Sequence, residues 1–186
     1  PIIMPTPSPT PGFLVPTFTP AATSAPVPTP PPPEPAETST PAPPDTEVAV
    51  SDEVYVRFGD FAALVGYSLP AAEVTTVQPL LLILHWQALE GTSPMNYQVF
   101  THLLLLEDDR LIAQHDSVPV GGTRPLTDWV PGETIVDSHP MVFHDTAHTG
   151  PARIAIGLWD PATGLRVLTD TGDERVVLPI TINIIP

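Results

Sequence analysis

From residue 53 onward the chain is a succession of short apolar runs cut by turn residues. In EVYVRFGD, Val54, Val56 and Phe58 alternate with Tyr55 and Arg57 until Gly59-Asp60 breaks the run. That period of two is the signature of a half-buried strand. FAALVGYSLP ends at Pro70, VTTV precedes Pro79, and LLLILHWQAL, the most apolar run, is bounded by EGTSP. Its length predicts a central strand buried on both faces at one end. YQVFTHLLLL and RLIAQHD flank Glu107-Asp108-Asp109. Asp tolerates the left-handed geometry of a tight turn, so this stretch reads as a hairpin. A long loop, VPVGGTRPLTDWVPGET, leads to the strand TIVDSHPMVF, pinched at Pro140, and then to the loop HDTAHTGP. ARIAIGLWD turns Ile154, Ile156 and Leu158 inward, PATG turns the chain, RVLT is a short strand, and TGDE turns it again. RVVLPITINII closes the pattern, with Pro179 marking an edge or a bulge.

No helical period intervenes, and turn signals recur about every 8–12 residues. The pattern predicts an all-β fold, an antiparallel β-sandwich of immunoglobulin-like or jelly-roll type. Residues 1–46 are different. They hold most of the 28 prolines, mixed with Thr, Ser and Ala, and show no period. Proline lacks a backbone donor and favours extended polyproline II, and such text cannot bury enough apolar surface to offset its ordering entropy. The expected organisation is a disordered Pro/Thr-rich linker or stalk over 1–46 and a β-sandwich domain over 47–186. About 140 residues are ample for one buried core.

Charge and cysteine usage narrow the function. There are six arginines, no lysine and 21 acids, for a formal charge of −15. Nucleic-acid binding needs a basic patch to displace counterions, and anionic membranes repel such a chain, so neither partner is expected. The absence of cysteine excludes disulfides, thiol catalysis and thiolate-bound zinc. No run of about 18 apolar residues suggests a transmembrane segment in this fragment. The chain opens on Pro1 rather than Met, which points to a mature or trimmed segment whose signal or anchor lies elsewhere. A Pro/Thr spacer ahead of a module is typical of exported proteins, so the expected location is extracytoplasmic, secreted or attached to a cell surface.

The residues Phe58, Gly59, Gly66, Tyr67, Trp86, Gln87, Val99, Phe100, His102, Gln114, Asp116, Trp129, Pro131, Gly132, Glu133, Asp137, Gly157, Asp160 and Gly164 form a recognisable set. Over most of residues 54–168 the chain resembles an extracytoplasmic C-terminal β-sandwich module of Chloroflexi-type bacteria. That module is found on multi-spanning glycosyltransferase-like membrane proteins and behind Pro/Thr-rich spacers. RPLTDW and HDTAHTGPAR depart from its usual spacing. The resemblance implies the sandwich fold and an envelope location, and it carries no activity.

Candidate chemistry is sparse. Trp129 beside Asp128, and Trp159 beside Asp160, place an aromatic face next to a carboxylate. Aromatic faces stack on sugar C–H surfaces while carboxylates bond hydroxyls, so these four are the candidate glycan-binding residues; the alternative is that both indoles cap the core. Asp116 and Asp137 are candidate ligands for a structural Ca²⁺, which takes six to eight oxygens; no other cofactor is expected. His85 and His102, on neighbouring strands, read as side chains bonded to a carbonyl or carboxylate before they read as metal ligands. HDTAH (His144 to His148) superficially resembles a zinc-protease motif, but Asp145 replaces its Glu and Gly150-Pro151 ends any helix. No serine sits in G-x-S-x-G, and no Gly-rich loop precedes a helix. The reading is a non-catalytic accessory or binding module whose partner is a glycan or another cell-envelope protein. The alternatives are a structural or protein-interaction domain with no small ligand and, remotely, a hydrolase.

Overall fold

A computed structural model of the chain describes residues 50–186. The linker expected over 1–46, and the first residues of the expected domain, lie outside them. Ten strands follow: β1 (Val50–Phe58), β2 (Ala62–Leu69), β3 (Glu73–Thr75), β4 (Leu80–Ala88), β5 (Gln98–Leu105), β6 (Leu111–Ser117), β7 (Thr134–Phe143), β8 (Gly150–Trp159), β9 (Val176–Val177) and β10 (Ile182–Ile185). A single 3-10 turn, Leu126–Asp128, lies in the long loop between β6 and β7. No helix among the described residues is long and apolar enough to cross a membrane.

The strands form one curled sheet in the order β1-β2-β4-β7-β6-β5-β8-β10-β3, with β9 pairing to β8. All pairs are antiparallel except β10–β3, which is parallel. The sheet is therefore mixed rather than purely antiparallel. A parallel neighbour needs a long connection, and here more than a hundred residues separate β3 from β10. The seam between the β1-β2-β4-β7 half and the rest is narrow: β6 and β7 pair only at Ala113↔Phe143 and Gln114↔Val142.

Alternation decides what each strand buries. Along β7, Ile135, Asp137, His139 and Met141 face inward and Thr134, Val136, Ser138 and Pro140 face outward. Pro140 does not interrupt the strand, because on the β6 side there is no ladder at that position to break. β4 alternates in the same way, which corrects the expectation of burial on both faces. Leu80, Leu82, Leu84 and Trp86 are inside, while Leu81 is 42% exposed. On β8, Ile154, Ile156 and Leu158 point inward as the pattern predicts. Both halves of the sheet supply one continuous core, with Trp86, Tyr67 and Phe58 among its largest members. Each fully buried Leu, Ile or Phe contributes on the order of 1.5–3 kcal/mol.

Two further expectations change. RVLT is not a strand: it is represented by isolated bridges, Trp159↔Arg166 and Phe58↔Thr169. RVVLPITINII is not one strand, because the run divides around Pro179 into β9 and β10. The hairpin turn forms as read, with Asp109 at φ 56°. At the exposed edge, a bulge between Glu53 and Val56 and the charges of Asp52 and Glu53 oppose pairing with another chain.

Candidate functional site

Sheet register assembles a groove on the outer face of β5, β6 and β8. Phe100 stands opposite Asp116 on β6 and opposite Gly157 on β8; His102 stands opposite Gln114 and Ala155. These side chains share the face that points away from the core. Gly157 is required there. A Cβ at that position would lie 2.4 Å from Phe100 Cζ, so only glycine lets the ring lie across β8. Arg166 covers the ring, its guanidinium carbon 4.6 Å from the ring centroid, and Phe100 is left 1% exposed. Trp159, paired to Arg166 across the turn, forms one wall. His102 packs 4.8 Å from Phe100 between centroids, and its Nε2 lies 3.6 Å from Asp116 Oδ1.

The result is a hollow of about 350 Å³ lined by Phe100, His102, Gln114, Asp116, Trp159, Gly164 and Arg166. It combines partly exposed rings with an acid, an amide and a guanidinium. The indole Nε1 of Trp159 is buried and has no hydrogen-bond partner among the described residues. A larger open hollow of about 630 Å³ over β1, β2 and β4 is lined by Asp52, Glu53, Ser68 and His85. Tyr67 beneath it is buried in the core, so His85 is its one partly exposed ring.

The opposite, inner face of the same sheet holds a second polar array. Asp137 and His139 are both 0% exposed. Asp137 Oδ1 accepts a 2.7 Å bond from the Val120 amide, and Oδ2 lies 2.8 Å from His139 Nε2. His139 Nδ1 is 3.0 Å from His115 Nδ1 on β6. Valence assigns the protons: the carboxylate is acceptor-only, so His139 Nε2 carries a hydrogen. The Nδ1 atoms of His115 and His139 then share one hydrogen, carried by whichever ring is the donor. Val120 holds φ 56°, strained for a β-branched residue, and this geometry aims its amide at the acid. Ser117 Oγ, on the same strand face as His115, is buried without a partner among the described residues.

Burial, and secondarily the nearby His139, lowers the pKa of His115; Asp116 and Asp137 oppose this more weakly. The sign follows. Below its ordinary value of about 6.5 an unfolded His115 binds a proton that the folded one resists. Stability is therefore full above that value and falls as pH drops toward the folded pKa. We expect the urea midpoint to fall between pH 7.5 and 5.5, and His115→Gln to make that fall shallower. An identical pH slope in the two proteins would remove His115 from the account.

The residues singled out in the sequence separate. Asp116 lines the groove, and Trp159 walls it. Asp160 follows Trp159 but faces its own turn. It accepts from Thr163 Oγ1 at 2.6 Å and from the Ala162 amide at 2.9 Å, and these bonds lower its pKa. Trp129 and Asp128 lie apart from the groove, on the β6–β7 loop. The Trp129 indole donates to the Arg124 carbonyl at 3.1 Å and packs against Trp86 at 6.3 Å, while Asp128 is exposed and accepts from Thr127. Asp116 and Asp137 face opposite sides of the sheet. No three His, Asp or Glu side chains among the described residues converge as a metal site would require. His85 Nε2 lies 3.2 Å from Ser68 Oγ, His144 Nε2 donates to the Leu111 carbonyl, and His148 pairs with Asp145.

Gln114, Arg166 and the Phe100–Gly157 stack were not anticipated, because cross-strand register places them. The Asp137-x-His139 spacing did carry a signal, since positions i and i+2 of a strand share a face. No protein family, curated protein or solved structure matches the chain.

Proposed function

We propose that the chain is a non-catalytic extracytoplasmic binding module, a two-layer β-sandwich of immunoglobulin-like or jelly-roll type behind a Pro/Thr spacer, and that its ligand is a glycan seated in the β5–β6–β8 groove. The observation that carries the reading is the convergence of Trp159 and His102 with Asp116, Gln114 and Arg166 around one hollow. Aromatic surface takes the C–H face of a sugar ring, and a few fixed polar groups orient its hydroxyls. The spacer composition and the resemblance to a bacterial envelope module support the location. A catalytic role draws little support, since the Asp137–His139–His115 array stands on the inner face, across the sheet from the groove.

The test is titration of the full chain with a panel of polysaccharides. Saturable binding is expected, with a loss of tenfold or more in Trp159→Ala and none in Trp129→Ala. Binding that survives Trp159→Ala would displace the site from this groove. A second reading, a protein-interaction domain, draws on the outward Leu81, Val136 and Val142 of β4 and β7, each more than two-fifths exposed. A panel without a single binding glycan would favour it.

A further inference from the structure

Arg166 gives the groove a chemical preference. It is the one arginine lining the hollow. Its guanidinium is laid over the Phe100 ring, and the ring is seated by Gly157. The side chain is thus held in one orientation before any ligand arrives, which removes much of the rotamer entropy that a free arginine loses on binding. Its charge is poorly neutralised. The contact with Glu174 Oε2 is 3.8 Å long, and Glu174 is 65% exposed. By contrast, Arg124–Glu133, Arg153–Asp109 and Arg110–Asp108 are direct hydrogen-bonded pairs. The groove's own acid, Asp116, sits beside His102. A guanidinium stacked on a ring keeps its in-plane N–H fork free, and that fork matches the two oxygens of a carboxylate.

Resting on the glycan reading of the groove, we propose that its ligand is a carboxylate-bearing sugar, a uronic-acid-type residue. Its acid group pairs with Arg166, and its ring lies against Trp159 and His102. Asp116 and Gln114 then face hydroxyls, which suit an acceptor and an amide. The formal charge of −15 opposes an anionic ligand at long range. That field is screened beyond about 8 Å at physiological ionic strength, whereas a direct Arg–carboxylate contact is not.

The experiment titrates the full chain by calorimetry with oligogalacturonate, its methyl ester and the neutral galactan oligosaccharide of equal length. The parent is expected to bind the acid at least tenfold more tightly than the ester or the neutral sugar. Arg166→Met should erase that preference and leave the weaker neutral binding in place; Arg166→Lys should keep part of it, since it retains charge without the fork. Thermal unfolding of each variant checks the fold, and Arg166 is exposed enough to be replaced without a cavity. Equal binding of acid and neutral sugar would overturn the proposal and leave the groove as a neutral glycan site. Acid binding that survives Arg166→Met would place the carboxylate elsewhere and also overturn it. Failure of all three ligands on a protein that also ignores the wider panel would overturn the groove reading itself.

Discussion

Asp137→Ala is expected to remove about 2–6 kcal/mol of stability, the cost of leaving two hydrogen-bond donors without their buried acceptor. The size follows from what is left behind. Asp137 and His139 are both 0% exposed, so His139 Nε2–H and the Val120 amide would lose an acceptor that water does not readily replace. Each orphaned buried donor costs about 1–3 kcal/mol. A domain of this size holds roughly 5–15 kcal/mol in all, so the variant should unfold far earlier in urea with an unchanged m-value. Replacing the pair together, Asp137→Val with His139→Leu, should recover only the part due to His139 Nε2–H, because the Val120 amide still lacks its acceptor. A loss below about 1 kcal/mol for Asp137→Ala would mean that the acid is hydrated and that the array is not a desolvated unit.

Trp86→Ala is the second large effect, about 3–5 kcal/mol, through lost burial and the cavity that remains. Trp86 is fully buried on β4, between Leu64 of β2 and Ile135 of β7. It is edge-on to Phe58 at 5.7 Å and tilted against Trp129 at 6.3 Å. The informative companion is Trp86→Phe. The indole Nε1 is buried with no partner among the described residues, so replacing it deletes an uncompensated donor along with some volume. Phe should therefore cost well under half of what Ala costs in the same urea titration. Equal losses for Phe and Ala would show that the indole nitrogen is hydrogen-bonded after all.

Much of the strand content could be read directly, and the reason is local. The inward residues of β7 and β8 follow from alternation, and the β5–β6 hairpin follows from three acidic turn residues. What could not be read depends on partners distant in sequence. The outward half of β4 looked buried because Leu81 and Ile83 are apolar, yet the sheet leaves that face uncovered. The C-terminal run looked like one strand because nothing local shows that its second part lies beside Glu73–Thr75. The same division holds at the sites. Trp159 and Asp116 stood out as residue types, but only register brings them to one groove with Arg166. Asp137 and His139 share a strand face by spacing, whereas His115 reaches them from 24 residues away.

The parallel pair at the end of the sheet has a consequence for synthesis. β10 lies between β8 and β3, so Ile182–Ile185 is what gives the short strand Glu73–Thr75 a neighbour. A chain emerging from the ribosome meets the local hairpins first, β1 with β2 and then β5 with β6. It has nowhere to lodge β3 until more than a hundred further residues have been made. This last docking step is also the strand pairing with the greatest separation in sequence, which is where slow closure concentrates. Until then the inward side chains of β8 near Ala152 lack their final neighbour. The nascent molecule must wait, incompletely closed, for a segment of four residues.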